Sequence, residues 1–161
     1  MRYFENFQVG DTFVLGSLKV TEEDIIAFAK QFDPQPFHID PERARDSIFG
    51  GLVASGCHIL SLFMRLFYDG VLHETASIGS PGADEIRWPT PVRPGDVLSG
   101  RFTVLERRHS RSRPNLGIIH SSCALFNQAG DVVMTMKGVH FVGRGPGVLT
   151  EADLLNDKID K

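Results

Sequence analysis

In FDPQPFHID, residues 32–40, an aspartate and a histidine stand five positions apart with Pro34, Gln35 and Pro36 between them. A carboxylate and an imidazole are the side chains most often used to move protons near neutral pH. A surface connection that only had to be polar would not need two residues of fixed φ. Two prolines make sense where Asp33 and His38 must be held on one target, such as a water molecule. Pro34 should end a preceding helix, leaving Asp33 at its C-terminal end next to apolar Phe32. There the helix dipole and apolar surroundings would both raise the Asp33 pKa and make it a stronger base.

A second feature is ASGC, residues 54–57. Ser55 is placed to cap a helix and Gly56 to begin it, so that backbone N–H groups point outward from a positive dipole end. Glycine allows a substrate carbonyl to come close to that backbone. A third is ERRHSRSR, residues 106–113, with Arg107, Arg108, Arg111 and Arg113 around a turn. These arginines suit a phosphate contact, and equally a solvated hairpin tip; Arg87 and Arg93 are similar, weaker candidates.

The elements that must position these residues follow from periodicity. DTFVLGSLKV (11–20) has strand character. Thr21 caps a helix over TEEDIIAFAKQF that places Ile25, Phe28, Ala29 and Phe32 on one face. Asp40-Pro41 starts another helix through ERARDS. After the glycine loop FGGLVASG, the segment CHILSLFMRLFY is apolar almost all round, apart from a narrow stripe of His58, Ser61 and Arg65, so a largely enclosed helix is expected. Beyond residue 76 the pattern turns to strands: DEIRW, VLSGRFTVLERR, GIIHSSCALFN and VVMTMKGVHFV, separated by the turns PTPVRPGD, SRSRPN and NQAGD. Short connections favour antiparallel pairing. Helices followed by strands give an α+β fold, with an antiparallel sheet curled around one buried helix.

The chain has 161 residues, 42% of them hydrophobic and 23% charged, which suits one domain with an ordinary core. A net charge of −3 argues against a general nucleic-acid binder. MRYFENFQVGD lacks the apolar run of a signal peptide, and no segment is long enough to span a membrane. Cys57 and Cys123 are not in a C-x-x-C pair and sit among apolar neighbours, so two buried free thiols and a cytoplasmic setting are expected. No metal-ligand spacing, Rossmann glycine pattern or P-loop occurs, and neither metal nor separate cofactor is expected.

The blocks YFENFQVGD, FAKQFDPQPFHIDPERA, FGGLVASG, IRWPTPVRPGD and NQAGDVV, in this order and spacing, resemble the MaoC-like dehydratases, or (R)-specific enoyl-CoA hydratases, over about residues 3–143. The resemblance implies the hotdog fold as a single domain over 1–147; the residues after it, 148–161, read as a C-terminal tail, either a short helix or a frayed end. It also implies reversible syn addition of water to a trans-2-enoyl thioester, giving an (R)-3-hydroxyacyl thioester. By the same resemblance, Asp33 and His38 handle water and proton, and the Gly56 amide is the oxyanion donor. Ser55, Arg107, Arg111 and Arg113 are the candidate substrate-binding residues. The implied partners are an acyl-CoA or acyl-carrier-protein thioester, coenzyme A being part of the substrate, and a second copy of the chain in a homodimer or higher homo-oligomer.

Two positions depart from the family pattern. Ser55 stands where many members have histidine, and Met64 where some hydratases have a serine. A hotdog thioesterase is the competing enzyme, but the segment from Cys57 to Tyr68 holds none of the carboxylates such enzymes place there. A non-catalytic acyl-thioester-binding subunit is the third reading, disfavoured because both members of the Asp–His pair are present.

Overall fold

The computed structural model describes residues 1–146. Strands β1 (Thr12–Lys19), β2 (Ser77–Arg87), β3 (Val97–His109), β4 (Leu116–Phe126) and β5 (Val132–Gly143) form one antiparallel sheet in the order β1-β3-β4-β5-β2. Alternation sends Leu98, Phe102 and Val104 of β3, Ile119, Ser121 and Cys123 of β4, and Met134, Met136 and Gly138 of β5 to the buried face. That face wraps a single long helix, α4 (Gly56–Gly70), which buries Ile59, Phe63, Leu66 and Phe67 against it. Phe67 stacks on Phe102 with ring centroids 4.9 Å apart. Burial of each such side chain contributes about 1.5–3 kcal/mol. The far end of α4 comes so close to β1 that a Cβ on Gly70 would lie 2.9 Å from the Leu15 Cα. This sheet wrapped on one helix is the hotdog fold, as the α+β reading of the sequence requires.

Three expectations need correction. The helix α4 is covered on one side only: Cys57, Ser61, Met64, Arg65 and Tyr68 are exposed, because a single sheet can wrap only the face turned toward it. Cys57 is therefore exposed rather than buried, whereas Cys123 is buried, its thiol pushed up to about 11 by burial. His58 belongs to no exposed stripe; it is buried and its ring stacks on Phe28 at 4.7 Å.

Helix α1 (Glu22–Phe32) starts at Thr21, whose Oγ1 accepts from the Asp24 N–H at 3.1 Å. Ile25 and Ala29 are buried, but Phe32 is 63% exposed, its ring lying back on Phe28 at the end of the helix instead of entering the core. Strand β2 starts at Ser77, well before the expected Asp84. Its first residues, SIGSPGA, carry no apolar alternation; they are exposed, and register shifts accompany the positive φ of Gly79 and Gly82. The expected tail, 148–161, lies outside the described residues.

Candidate active site

Asp33 ends α1 outside the helical region, with φ −154° and ψ 68°, because Pro34 disfavours a helical residue before it. Pro36 then opens a one-turn helix, α2 (Pro36–Ile39), with His38 as its third residue. This helix is not apparent in the sequence, where Pro34 reads as a helix end and Pro36 only as a stiffener of the connection to His38. Asp40 ends α2 and caps α3 (Pro41–Arg45), accepting from the Glu42 and Arg43 amides at 3.0 and 3.1 Å. Each proline thus sets a helix boundary, and the boundaries fix where Asp33 and His38 point.

The His38 ring is buried, with Nδ1 2.7 Å from the Val53 carbonyl oxygen. A carbonyl can only accept, so Nδ1 carries a proton, and the ring in its neutral form presents a lone pair at Nε2. Nε2 stands 3.5 Å from Asp33 Oδ2. The carboxylate has two donors of its own: the Ser55 hydroxyl donates to Oδ2 at 2.6 Å and the Gln35 side-chain amide to Oδ1 at 2.8 Å. The Ser55 and Gln35 hydrogen bonds, with His38 beside them, hold the carboxyl below the usual carboxylate range despite partial burial. The expected upward shift is overturned, because two donors reach the carboxylate.

Ser55 occupies the N-cap position of α4, yet its side chain makes no capping hydrogen bond. The hydroxyl is committed to Asp33, which leaves the first-turn N–H groups without a side-chain partner. Against Gly56 lies the Trp88 indole; a Cβ at this position would fall 2.9–3.1 Å from three ring atoms. The glycine loop before α4 is stitched on both sides: the Val53 N–H donates to the Phe37 carbonyl at 3.1 Å, the Ala54 N–H to Val92 at 2.9 Å, and Arg93 Nη2 to the Phe49 carbonyl at 2.6 Å. Together these segments enclose a cavity of about 390 Å³ lined by Asp33, Gln35, His38, Gly56, Ile59 and Trp88.

The fold therefore brings Asp33, His38, Ser55 and Gly56 together. Arg107, Arg111 and Arg113 do not line this cavity. Arg107 donates to the Phe7 carbonyl and lies over the Phe4 ring at 4.3 Å, while Arg111 and Arg113 are exposed in the β3–β4 turn. Gln35, Val53 and Trp88 were missed as individual residues, although Gln35 lies inside the Asp–His stretch and Trp88 stands directly before the PTP turn. Among the described residues no group of His, Cys, Asp and Glu is arranged to hold a metal ion, and no helix is long and apolar enough to cross a membrane.

Residues 6–121 match the MaoC like domain family. The chain is 32% identical to YdeM of Bacillus subtilis (strain 168) over 124 residues, which is 77% of this chain and 86% of that protein. It is 27% identical to the 3-hydroxybutyryl-CoA dehydratase of Methylorubrum extorquens over 119 residues, 71% of each chain. In structure it is similar to the MaoC-like dehydratase from Rhodospirillum rubrum, with TM-score 0.84 and 42% identity over 91% of this chain and 99% of that one. With its sheet, its wrapped helix and the blocks that carry the Asp–His pair, the chain belongs to the MaoC-like dehydratase family.

Proposed function

We propose that the protein reversibly adds water to a trans-2-enoyl thioester, an acyl-CoA or acyl-carrier-protein substrate, to give the (R)-3-hydroxyacyl thioester. The observation that carries this reading is the convergence of Asp33 Oδ2 and His38 Nε2, 3.5 Å apart, on a cavity that Gly56 also lines. With Asp33 ionised and the imidazole proton on Nδ1, both facing atoms are acceptors, and one water can donate to both. As its oxygen bonds to the β carbon, its proton passes to the pair. His38 Nε2 is the better acceptor, because Ser55 and Gln35 already stabilise the Asp33 charge. The C=C electron pair moves to the α carbon and the thioester oxygen, and a proton returned from the same side to the α carbon completes syn addition. The developing oxyanion faces the Gly56 amide, a kind of donor worth about 100- to 1,000-fold in rate. Dehydration runs the same steps backward, and the only cofactor-like group is coenzyme A within the substrate.

The name of the Methylorubrum extorquens relative supports the thioester class. Against a thioesterase stands the makeup of α4: its one carboxylate, Asp69, is exposed at the far end and bonded to Arg65 at 2.8 Å. A phosphate contact through Arg111 and Arg113 stays part of the proposal, and Arg107 has a structural use already. We also propose that the protein forms a homodimer; a purely monomeric mass by light scattering would remove it. The decisive assay follows loss of the enoyl double bond and release of thiol in parallel on trans-2-enoyl-CoA substrates. Hydration without thiol release is expected, and thiol release would replace this reading with hydrolysis.

A further inference from the structure

A second cavity, of about 430 Å³, lies against the next turns of α4, lined by Leu60, Phe63, Met64 and Phe67 on the helix side. Ile59 lines the Asp33 cavity and Leu60 lines this one, so both cavities draw on the same stretch of α4. The opposite wall comes from β2 and from Met136, Gly138 and His140 of β5. Its lining is mostly apolar and holds no lysine, arginine or carboxylate.

Two serines, Ser77 and Ser80, and one imidazole interrupt the apolar lining. His140 stands edge-on to Phe67 and Phe102, with its Nε2 2.8 Å from the Ser121 hydroxyl. Ser121 and Gly138 are directly paired across β4 and β5, and a Cβ on Gly138 would come within 2.6 Å of His140 Nε2 and 3.0 Å of Ser121 Oγ. The missing side chain at 138 is what leaves room for the Ser121–His140 hydrogen bond. Burial, with the charge of His120 behind it, pushes the His140 pKa down to about 4, so the ring is neutral under ordinary conditions. The other hydroxyl of note, Ser80, is engaged with the carbonyls of Gly82 and Val139 at 3.0 and 2.6 Å.

We propose that this cavity receives an acyl chain bearing a hydroxyl group, which hydrogen-bonds to His140 while Ser121 holds the ring. A plain hydrocarbon would cover a polar ring nitrogen without offering it a partner. A carboxylate would enter a wall that has no cation to meet it. A hydroxyl both donates and accepts, and so fits whichever nitrogen carries the imidazole proton. The inference deepens the hydratase reading and rests on it for the acyl thioester.

The test uses pairs of trans-2-enoyl-CoA substrates of equal length, with and without a hydroxyl placed at successive carbons of the tail. Turnover is read on the intact protein, and binding of the matching saturated acyl-CoAs is read by calorimetry. At one hydroxyl position the wild type should prefer the hydroxylated member by about tenfold or more in both kcat/KM and Kd. His140→Leu and, independently, Ser121→Ala should bring that ratio toward one, and His140→Gln should keep part of it. A ratio near one at every position, or a preference that survives both variants, overturns the proposal. Turnover without any preference would reject this inference and leave the hydratase reading standing; preference in binding with no hydration would do the reverse.

Discussion

The two cavities along α4 are built in opposite ways. The Asp33 cavity is assembled from the ends of short helices, with its polar groups close in sequence and each aimed by a proline, a cap or a glycine. The second is assembled across strands: Ser121 on β4 meets His140 on β5 over the space left by Gly138, and no local signal announces the meeting. In the first cavity the polar groups are held in hydrogen bonds yet keep facing atoms free for a water. In the second a single imidazole, held by Ser121, sits in mostly apolar surroundings. The first arrangement suits proton transfer and the second suits recognition, and mutation should separate the two.

The largest effects are expected at the first cavity. Asp33→Asn and His38→Gln should each lower kcat/KM for hydration by about 100- to 10,000-fold, the range for loss of acid–base assistance. Retention of wild-type turnover in either variant would remove that residue from the chemistry. Gly56→Ala comes next, at about 100-fold. Alanine keeps the amide but drives a methyl group into Trp88, at 2.9 Å from the nearest ring atom. Adding Trp88→Ala to Gly56→Ala should recover part of the loss if displacement of the indole is its cause. No recovery would place the defect in the amide itself.

The same contrast explains what could be read in the sequence. The Asp33–His38 stretch was legible because its information is local: prolines and caps act on their immediate neighbours, and the family blocks agree with them. Strand alternation and turn signals gave β3, β4 and β5, and with α4 they gave the sheet-on-helix layout. Three things were not legible, for physical reasons. The start of β2 has no apolar alternation because, as an exposed edge, it buries nothing. The Asp33 pKa depends on Ser55, 22 positions away, whose hydroxyl chooses the carboxylate over the helix end. The open side of α4 follows from how far one sheet can reach, which the composition of the helix does not reveal.

Stability should respond more at the second cavity. Gly138→Ala inserts a methyl group into the contact of His140 with Ser121, and overpacking of this kind costs about 1–3 kcal/mol. Urea denaturation would measure it, and a Gly138→Ala/His140→Ala double variant should regain part of the loss by opening the space again. A neutral Gly138→Ala would mean that the ring and hydroxyl can separate without cost, and would weaken the hydroxyl-recognition proposal with it.

The smallest expected effect has the clearest pH signature. Ser55→Ala removes the hydroxyl that does most to hold the Asp33 carboxyl below its usual range. Because the folded-state pKa of Asp33 is depressed, its contribution to stability is present above the unfolded carboxylate pKa and is lost as pH falls through the folded value. The variant should therefore be less stable near neutral pH by about 1 kcal/mol, at the low end for a charge-assisted bond because solvent also reaches this carboxylate. The difference should close as pH falls through the folded-state pKa of wild-type Asp33, which lies below the usual carboxylate range. In activity the acidic limb of the pH–kcat/KM profile should move to higher pH, since Asp33 then takes up its proton earlier on the way down. An unmoved limb with a pH-independent loss of stability would mean that Ser55 serves packing alone, and that the charge on Asp33 is set by Gln35 and His38.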